Sequence, residues 1–202
     1  MEYLISILFG YFLGSVPFGL VIAYLSGYGD IRKQGSGNIG TTNVLRVTKR
    51  KDLTLLTLIL DAGKAGFAAL LASWIFSCPL AGLFAGLGGV IGHNFPIWLD
   101  FKGGKGVAST LGMMLATFPS VGLAACLTWV FMAFVFRYSS LSALTALTLS
   151  PFYAYILGGS AASPYILAFA FLALLSMVRH RANIERLINK KESKINFKKK
   201  KQ

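Results

Sequence analysis

Seven apolar segments follow one another along the chain, separated by short polar stretches. They lie at 3–26, 53–76, 80–98, 105–118, 120–136, 141–157 and 164–179. Helices and strands of water-soluble proteins interrupt their apolar residues with polar ones at a period of about 3.6 or 2, whereas a membrane-spanning helix needs about 20 largely apolar residues. The pattern therefore predicts an all-α, polytopic integral membrane protein with seven transmembrane helices, several of them short.

The charges between these segments predict how the protein is oriented. Six Lys or Arg lie in the 27–52 loop, two at 99–105, one at Arg137 and ten in the final 24 residues, whereas the turns at 77–79, Pro119 and 158–163 carry none. With seven spans, every basic loop falls on one side of the membrane. Because cytoplasmic loops are enriched in Lys and Arg, we expect the N-terminus outside and the C-terminus inside. We interpret residues 1–189 as one transmembrane domain and residues 190–202 as a basic cytoplasmic tail.

Composition narrows the function classes. The chain is 55% hydrophobic and 13% charged, with a net charge of +13. A nucleic-acid-binding module would not be so apolar, so the basic charge indicates membrane orientation and attraction of anionic substrates. Cys78 and Cys126 lie in apolar segments without metal-ligand spacing, which favours a packing role. We expect no metal and no nucleic acid partner.

The most informative polar stretch is the first glycine loop, Gly35–Asn43, which reads Gly-Ser-Gly-Asn-Ile-Gly-Thr-Thr-Asn and is followed by Arg46. It formally matches a dinucleotide-binding pattern, but no strand precedes it, so we reject a nicotinamide site. A flexible polar loop is the simple alternative. Small residues, however, expose backbone N–H groups, and an arginine adds a bidentate cation, so together they are typical of a phosphate cradle.

The second glycine loop, Gly103–Gly106, includes Lys105 and precedes the predicted fourth helix. It is not a Walker A loop, since Leu99 stands in place of the first glycine and Gly106 follows the lysine. A helix N-terminus offers free N–H groups to anions, so Lys105 is a candidate phosphate contact, whereas Lys102 is better explained as an interfacial anchor.

A few ionisable residues lie in or beside the apolar segments. Asp61 and Lys64 are three residues apart in the second segment, where they can pair and lower the cost of burial, which favours a structural or site-bracing role. His93 and His180 both fall at predicted cytoplasmic ends of spans. A lone interfacial histidine is commonly structural, but either one lies where a general base could act.

Several of these motifs, in this order and spacing, resemble the bacterial acyl-phosphate:glycerol-3-phosphate acyltransferases, the PlsY family. The likeness covers nearly the whole chain. It rests on six motifs: Gly14–Gly19, Gly35–Arg46, Asp61 with Lys64, Gly92-His93 with Pro96, Phe101–Ser109, and Arg179-His180 with Asn183 through Leu187. The chain departs from the family pattern at three places. Thr42 stands where alanine is usual, Ala65 stands where glycine is usual, and the chain lacks the glycine expected near Lys190.

The resemblance implies transfer of a fatty acyl group from acyl phosphate to the first hydroxyl of glycerol 3-phosphate, giving lysophosphatidic acid without a cofactor or metal. Residues implied to hold glycerol phosphate and the reacting centre are Ser36, Arg46, Lys105, His180 and Asn183. Ser36, Lys105 and His180 are the candidate catalytic residues. Eight further residues are implied to hold substrate through their backbone or side chains: Gly35, Gly37, Asn38, Gly40, Thr41, Asn43, Gly103 and Gly104.

This activity fits the physical chemistry of the two substrates, since both carry phosphate and one carries an acyl chain that belongs in lipid. Acyl phosphate is an activated mixed anhydride, so we expect direct attack in a ternary complex, with either His180 or a substrate phosphate oxygen as the base. The resemblance implies a bacterial cytoplasmic membrane, a site facing the cytoplasm, and contact with the enzyme that makes acyl phosphate. Two other classes stay open, an anion transporter and a noncatalytic lipid-binding protein.

Overall fold

The computed structural model describes residues 1–195, and within this range the regular structure is helical, without a strand. The ten α-helices are α1 (Glu2–Gly14), α2 (Phe18–Leu25), α3 (Thr41–Thr48), α4 (Lys51–Ile75), α5 (Pro79–Asn94), α6 (Val107–Thr117), α7 (Pro119–Phe136), α8 (Ser139–Gly158), α9 (Ser163–Arg179) and α10 (Arg181–Ile188). Short 3₁₀ turns occur at Ile31–Lys33, Ile97–Leu99 and Gly159–Ala162.

Five segments of the described chain are long and apolar enough to cross a membrane: Glu2–Leu25, Lys51–Ile75, Pro79–Leu99, Pro119–Phe136 and Ser139–Arg179. The last of these is a hairpin, because its two helices, α8 and α9, pack side by side. Helix α6 has 11 residues and extends about 16 Å, roughly half of a hydrocarbon core of about 30 Å. The predicted all-α membrane class is confirmed, while the count of seven spans and the orientation stay predictions.

The first predicted span is two helices rather than one. Helix α1 ends at Gly14 and α2 begins at Phe18, with Pro17 between them. A proline has no N–H to continue the ladder and its ring clashes with the preceding turn, so the helix breaks there. At the break the Val16 carbonyl accepts from the Phe18 N–H at 3.1 Å and from the Lys64 ammonium at 2.9 Å. An opened backbone at this depth is tolerated because protein groups satisfy it.

Glycines bring α1 and α5 into backbone contact. A Cβ added to Gly10 or Gly14 would overlap the backbone of Ala85 or Gly89, and one added to Gly92 would overlap Tyr11. Because lipid tails are as apolar as leucine, close van der Waals packing of small residues is what favours helix association in a membrane. These glycines therefore serve close packing of α1 against α5.

Large apolar side chains cover the outside of the bundle. Leu127 and Phe131 of α7 are 60% and 64% exposed, and Leu167 of α9 is 71% exposed. The interior combines apolar side chains such as Phe169 with small and polar residues, among them Asp61 and Lys64, which are 1% and 4% exposed. This distribution matches a chain whose surface is solvated by lipid.

The described start of the predicted tail packs onto the helices. The Ile195 N–H donates to the carbonyl of Arg137 at 2.6 Å, and the Arg137 guanidinium donates to the Ile195 carbonyl. The Lys194 ammonium lies 5.6 Å from the Tyr138 ring centroid. Residues 190–195 therefore belong with the helical body, and the lysine run at 198–201 lies outside the described residues.

We expect Gly14→Ala to destabilise the protein by about 1–3 kcal/mol, because the methyl group must push α5 away. Thermal unfolding in detergent measures the loss. Gly63→Ala is the matched control, since Gly63 lies on α4 with open space around it, and it should gain about 0.5–1 kcal/mol from helix propensity. Equal unfolding temperatures for the two variants would contradict the packing explanation.

Candidate active site

The first glycine loop is held in shape by Asn43, which lies on α3 rather than in the loop. Its Oδ1 accepts from the Ser36 N–H at 2.8 Å and from the Ser36 hydroxyl at 3.1 Å. Its Nδ2 donates to the carbonyls of Ile31 at 2.9 Å and Gln34 at 3.2 Å. Asn43 is only 1% exposed, so its side chain acts on the loop and presents Ser36.

The loop then leads into α3. Gly37 has a φ of +71°, a conformation that glycine adopts without strain. Asn38 is half-buried beside Gly40, which caps the N-terminus of α3. The first helical residue, Thr41, has a buried hydroxyl without a hydrogen-bond partner among the described residues. The segment therefore combines free helix N–H groups with an unused hydroxyl, as an anion site requires.

Arg46 follows on α3 and is exposed. Its Nη2 donates to the Ser193 hydroxyl at 2.6 Å. A neutral hydroxyl uses only one of the five donors of a guanidinium, so Arg46 keeps donors for an anion.

The second glycine loop is hydrogen-bonded to the end of α5 and to Arg179 of α9. The Gly103 N–H donates to the Asn94 carbonyl at 3.2 Å, and the Gly104 N–H donates to the His93 carbonyl at 3.0 Å. Arg179, at the end of α9, donates to the carbonyl oxygens of Gly103 at 2.8 Å and Gly104 at 2.8 and 3.0 Å. The loop is thus fixed between α5 and α9, with Lys105 directly after it.

Lys105 begins a chain of polar contacts. Its ammonium donates to Oδ1 of Asn183 on α10, and Nδ2 of Asn183 donates to Glu192 Oε1 at 2.7 Å. Glu192 also accepts from Arg186 at 2.7 Å and from the Ser140 hydroxyl at 2.9 Å. Because Glu192 takes the amide protons, the amide oxygen of Asn183 must face the lysine.

Burial makes the Lys105 ammonium easier to deprotonate, and three nearby cations add to the effect. Burial lowers the pKa of Lys105 to about 8. Glu192 opposes this shift, whereas the positive charges of Arg186, Arg46 and Arg179 add to it. Four cations thus act on one region, and a bound dianion would relieve their mutual repulsion.

Glu192 is the carboxylate whose negative charge acts on Lys105. Burial alone would raise the pKa of Glu192, but hydrogen bonds from Arg186, Asn183 and Ser140 lower it below its usual value. Glu192 is therefore ionised at neutral pH and holds Asn183 and Arg186 in place.

His180 ends α9 and is 2% exposed. Its Nδ1 lies 2.8 Å from the Ser176 carbonyl oxygen, which can only accept, so Nδ1 carries the proton and Nε2 keeps its lone pair. Burial, and then the nearby charge of Lys105, lower the pKa of His180 to about 4. The imidazole is therefore neutral at pH 7 and can accept a hydrogen bond.

The two glycine loops face each other across one concavity of about 530 Å³. Gly37 lines it from the first loop and Gly103 from the second, with Arg179 and Lys102 beside them. Arg32 and Lys33 add positive charge, partly neutralised by Asp30, whose pKa the Arg32 guanidinium lowers to about 2. The structure thus brings one glycine of each predicted phosphate-binding loop to a single basic surface, whereas Ser36, Arg46, Lys105, His180 and Asn183 are not among its lining residues.

Some residues of this region had no assigned role from the sequence. Arg179 and Arg186 stand in quoted motifs, but only the fold shows that they hold loop carbonyls and Glu192. Ser140 and Ser193 carry no local signal, since each reaches the site from a distant part of the chain. Within residues 1–195, no group of three or more His, Cys, Asp or Glu side chains is placed to hold a metal ion.

Comparison with known proteins identifies the class. The family model described as glycerol-3-phosphate acyltransferase matches residues 4–190. A glycerol-3-phosphate acyltransferase of Rhodospirillum rubrum is 60% identical over 198 residues, covering 95% of this chain and 90% of that protein. One from Paramagnetospirillum magneticum is 52% identical over 200 residues, covering 99% and 97%. The chain therefore belongs to the glycerol-3-phosphate acyltransferase family, a family of integral membrane proteins.

Solved structures narrow the class to one branch. A crystal structure of PlsY, an integral membrane glycerol 3-phosphate acyltransferase, in its glycerol 3-phosphate form superposes with a TM-score of 0.88 at 37% identity, covering 97% of this chain and 96% of that chain. The lysophosphatidic acid form gives 0.86 at 36% identity with the same coverage. The chain is a PlsY-family member, as its motifs predicted.

At Lys190 the chain turns back toward the site. The chain makes this turn without the glycine that is usual in the family near this position. Lys190 adopts a φ of +56°, which costs a residue with a side chain about 1–2 kcal/mol. We expect Lys190→Gly to keep full activity and an equal or higher unfolding temperature. Lys190→Val, whose β-branched side chain tolerates this region poorly, should lower both, because Glu192 would lose its position. Equal activity and stability in the two variants would contradict this role of the turn.

Proposed function

We propose that this protein transfers a fatty acyl group from acyl phosphate to the sn-1 hydroxyl of glycerol 3-phosphate, forming lysophosphatidic acid, the first acylation step of phospholipid synthesis. The observation that carries the proposal is the single basic concavity formed by two glycine loops at the ends of apolar helices. Family membership and the glycerol 3-phosphate and lysophosphatidic acid forms of the similar PlsY structures support it.

In this proposal the glycerol 3-phosphate dianion binds Lys105 and Arg46, with Ser36, His180 and Asn183 around the glycerol. The phosphate of the donor binds the backbone N–H groups of Gly35 and Gly40 and the hydroxyl of Thr41, whereas the Gly37 N–H donates to the Gln34 carbonyl at 3.0 Å. Asn43 is a loop-holding residue, since its amide is fully used by the loop. The first glycine loop supplies these donors without a change of shape, which is how preorganised sites stabilise developing charge.

The reaction proceeds by direct attack in a ternary complex. The sn-1 hydroxyl oxygen forms a bond to the acyl carbonyl carbon, the bond from that carbon to the phosphate oxygen breaks, and inorganic phosphate leaves. His180 Nε2 accepts a hydrogen bond from the hydroxyl and orients it. Because the pKa of His180 is about 4 and the second pKa of a phosphate monoester is about 6, a phosphate oxygen is the better final acceptor of the proton.

We also propose the seven-span topology, with α1 and α2 forming the first crossing and α6 a short one. The N-terminus then lies outside, and the basic 27–52 and 99–105 loops lie on the cytoplasmic side of a bacterial inner membrane. A cytoplasmic site would allow both soluble glycerol 3-phosphate and the enzyme that makes acyl phosphate to reach it. Residues 1–189 with the packed 190–195 segment then form one domain.

The deciding assay gives the purified protein radiolabelled glycerol 3-phosphate with palmitoyl phosphate, palmitoyl-CoA or palmitoyl acyl carrier protein. We expect lysophosphatidic acid with palmitoyl phosphate alone. Uptake of label into sealed vesicles without product would favour a transporter instead, and neither product nor uptake would favour a noncatalytic lipid-binding protein.

Loss of either proposed phosphate cation should weaken binding of glycerol 3-phosphate. Removing a charge-assisted hydrogen bond costs about 1.5–3 kcal/mol, so we expect Lys105→Ala and Arg46→Ala each to raise KM about 10- to 100-fold and to lower kcat. Lys51→Ala is the matched control, because it removes one exposed cation of the same predicted membrane face that takes no part in the polar contacts linking Lys105, Asn183 and Glu192. Wild-type KM values in both site variants would contradict the assignment of these cations.

A further inference from the structure

We propose that Asp61, Lys64 and His93, a buried cluster beneath the second glycine loop, position Lys105 for phosphate binding by supporting Gly104 from below. The three residues are positioning residues, since they act through the loop. This inference rests on the proposed function, because it assumes that Lys105 binds a substrate phosphate.

The cluster is built around the Lys64 ammonium. Its Nζ lies 2.9 Å from each of three groups: Asp61 Oδ1, the Val16 carbonyl oxygen and His93 Nδ1. An ammonium has three donors and no acceptor. Lys64 is therefore fully hydrogen-bonded, and it joins the break between α1 and α2 to α4 and α5.

These contacts determine the tautomer of His93. Because the ammonium can only donate, Nδ1 of His93 must accept, which places the ring proton on Nε2. His93 Nδ1 is 3.5 Å from Asp61 Oδ1, beyond a good hydrogen bond. The imidazole is thus a neutral ring whose orientation is set by Lys64, and Nε2 is its far end.

The far end of that ring contacts the second glycine loop. A Cβ added to Gly104 would overlap His93 Nε2, and one added to Gly103 would overlap the His93 carbonyl and Pro96. The N–H groups of the two glycines are bonded to the carbonyls of Asn94 and His93. His93 therefore supports the loop twice, through its backbone and through its ring.

Arg179 holds the same loop through its carbonyl oxygens. Its guanidinium binds both loop carbonyls, and it stacks 5.1 Å from the Phe95 ring centroid. The loop is therefore held at its N–H groups by carbonyls of α5 and at its carbonyl groups by Arg179. Lys105 follows immediately, so its ammonium is aimed at Asn183.

The energetic cost of the cluster supports a role beyond packing. Asp61 and Lys64 are 1% and 4% exposed, and a buried ion pair is at best about as stabilising as apolar residues of the same size. Leucine or alanine at these two positions would insert into the membrane at a lower free-energy cost. What an apolar pair could not do is hold an imidazole in one orientation beneath Gly104.

The test combines three variants with two measurements. Gly104→Ala adds a methyl group against the ring, His93→Ala removes the ring, and the double variant places the new methyl group in the vacated space. We measure KM and kcat for glycerol 3-phosphate, and amide hydrogen exchange of the 99–106 segment in detergent micelles, a readout that does not depend on activity.

We expect each single variant to raise KM about tenfold or more, with a smaller fall in kcat, and to speed exchange of the segment about tenfold. In the double variant KM and exchange should return toward wild type. Its unfolding temperature should stay low, because the Lys64 ammonium still lacks its third acceptor. Recovery of KM without recovery of stability is a result that a merely structural role would not produce.

Tyr153→Phe is the matched control, since it removes a hydrogen bond of 2.8 Å between Thr128 and Tyr153 that joins α7 to α8. It should lower stability and leave KM and exchange of the 99–106 segment unchanged. If His93→Ala does not fold, Gly104→Ala alone decides, because it keeps every polar group.

Unchanged KM and exchange in the single variants, or no recovery in the double variant, would overturn the positioning role. A wild-type protein without acyltransferase activity would instead remove the proposed function, while the exchange measurement would still report whether His93 supports the loop.

Discussion

The contact between the Lys105 ammonium and Asn183 is the interaction on which the candidate site depends. It joins the second glycine loop, carried by α5 and α6, to α10 and through Glu192 to the chain beyond it. A partly buried cation without a partner would be costly, and the neutral amide oxygen satisfies it while leaving its charge uncompensated. That residual positive charge is what a substrate phosphate can neutralise.

Glycine serves two different purposes in this molecule. In α1 and α5 it lets helix backbones touch, which gives the bundle its stability without polar groups in lipid. In the two loops it allows the positive φ angles of Gly35 and Gly37 and the close approach of His93 to Gly104. Both uses depend on the absence of a Cβ atom. The first lets the helices pack closely, and the second leaves room for an anion between the two loops, which the helices hold in place.

The sequence predicted the apolar scaffold and the two loops well, because apolar blocks and glycine clusters are local signals. It predicted one helix at 3–26, whereas Pro17 divides it, and it placed Asn43 in a loop, whereas α3 begins at Thr41. The contacts of Ser140, Ser193 and Glu192 depend on chain segments far apart, so no local pattern could reveal them. Lys190 shows the same limit, since a lysine gives no sign that the backbone there turns into the left-handed region.

The central claim is that Lys105 is a weakened ammonium that binds a phosphate dianion. Calorimetric titration of glycerol 3-phosphate in buffers of different ionisation enthalpy counts the protons taken up on binding. Because the pKa of Lys105 is about 8 and a bound dianion raises it, the wild-type protein should take up about half a proton or more near pH 8.5, whereas Lys105→Arg, always charged, should take up far less. Equal proton uptake by the two proteins would contradict the account.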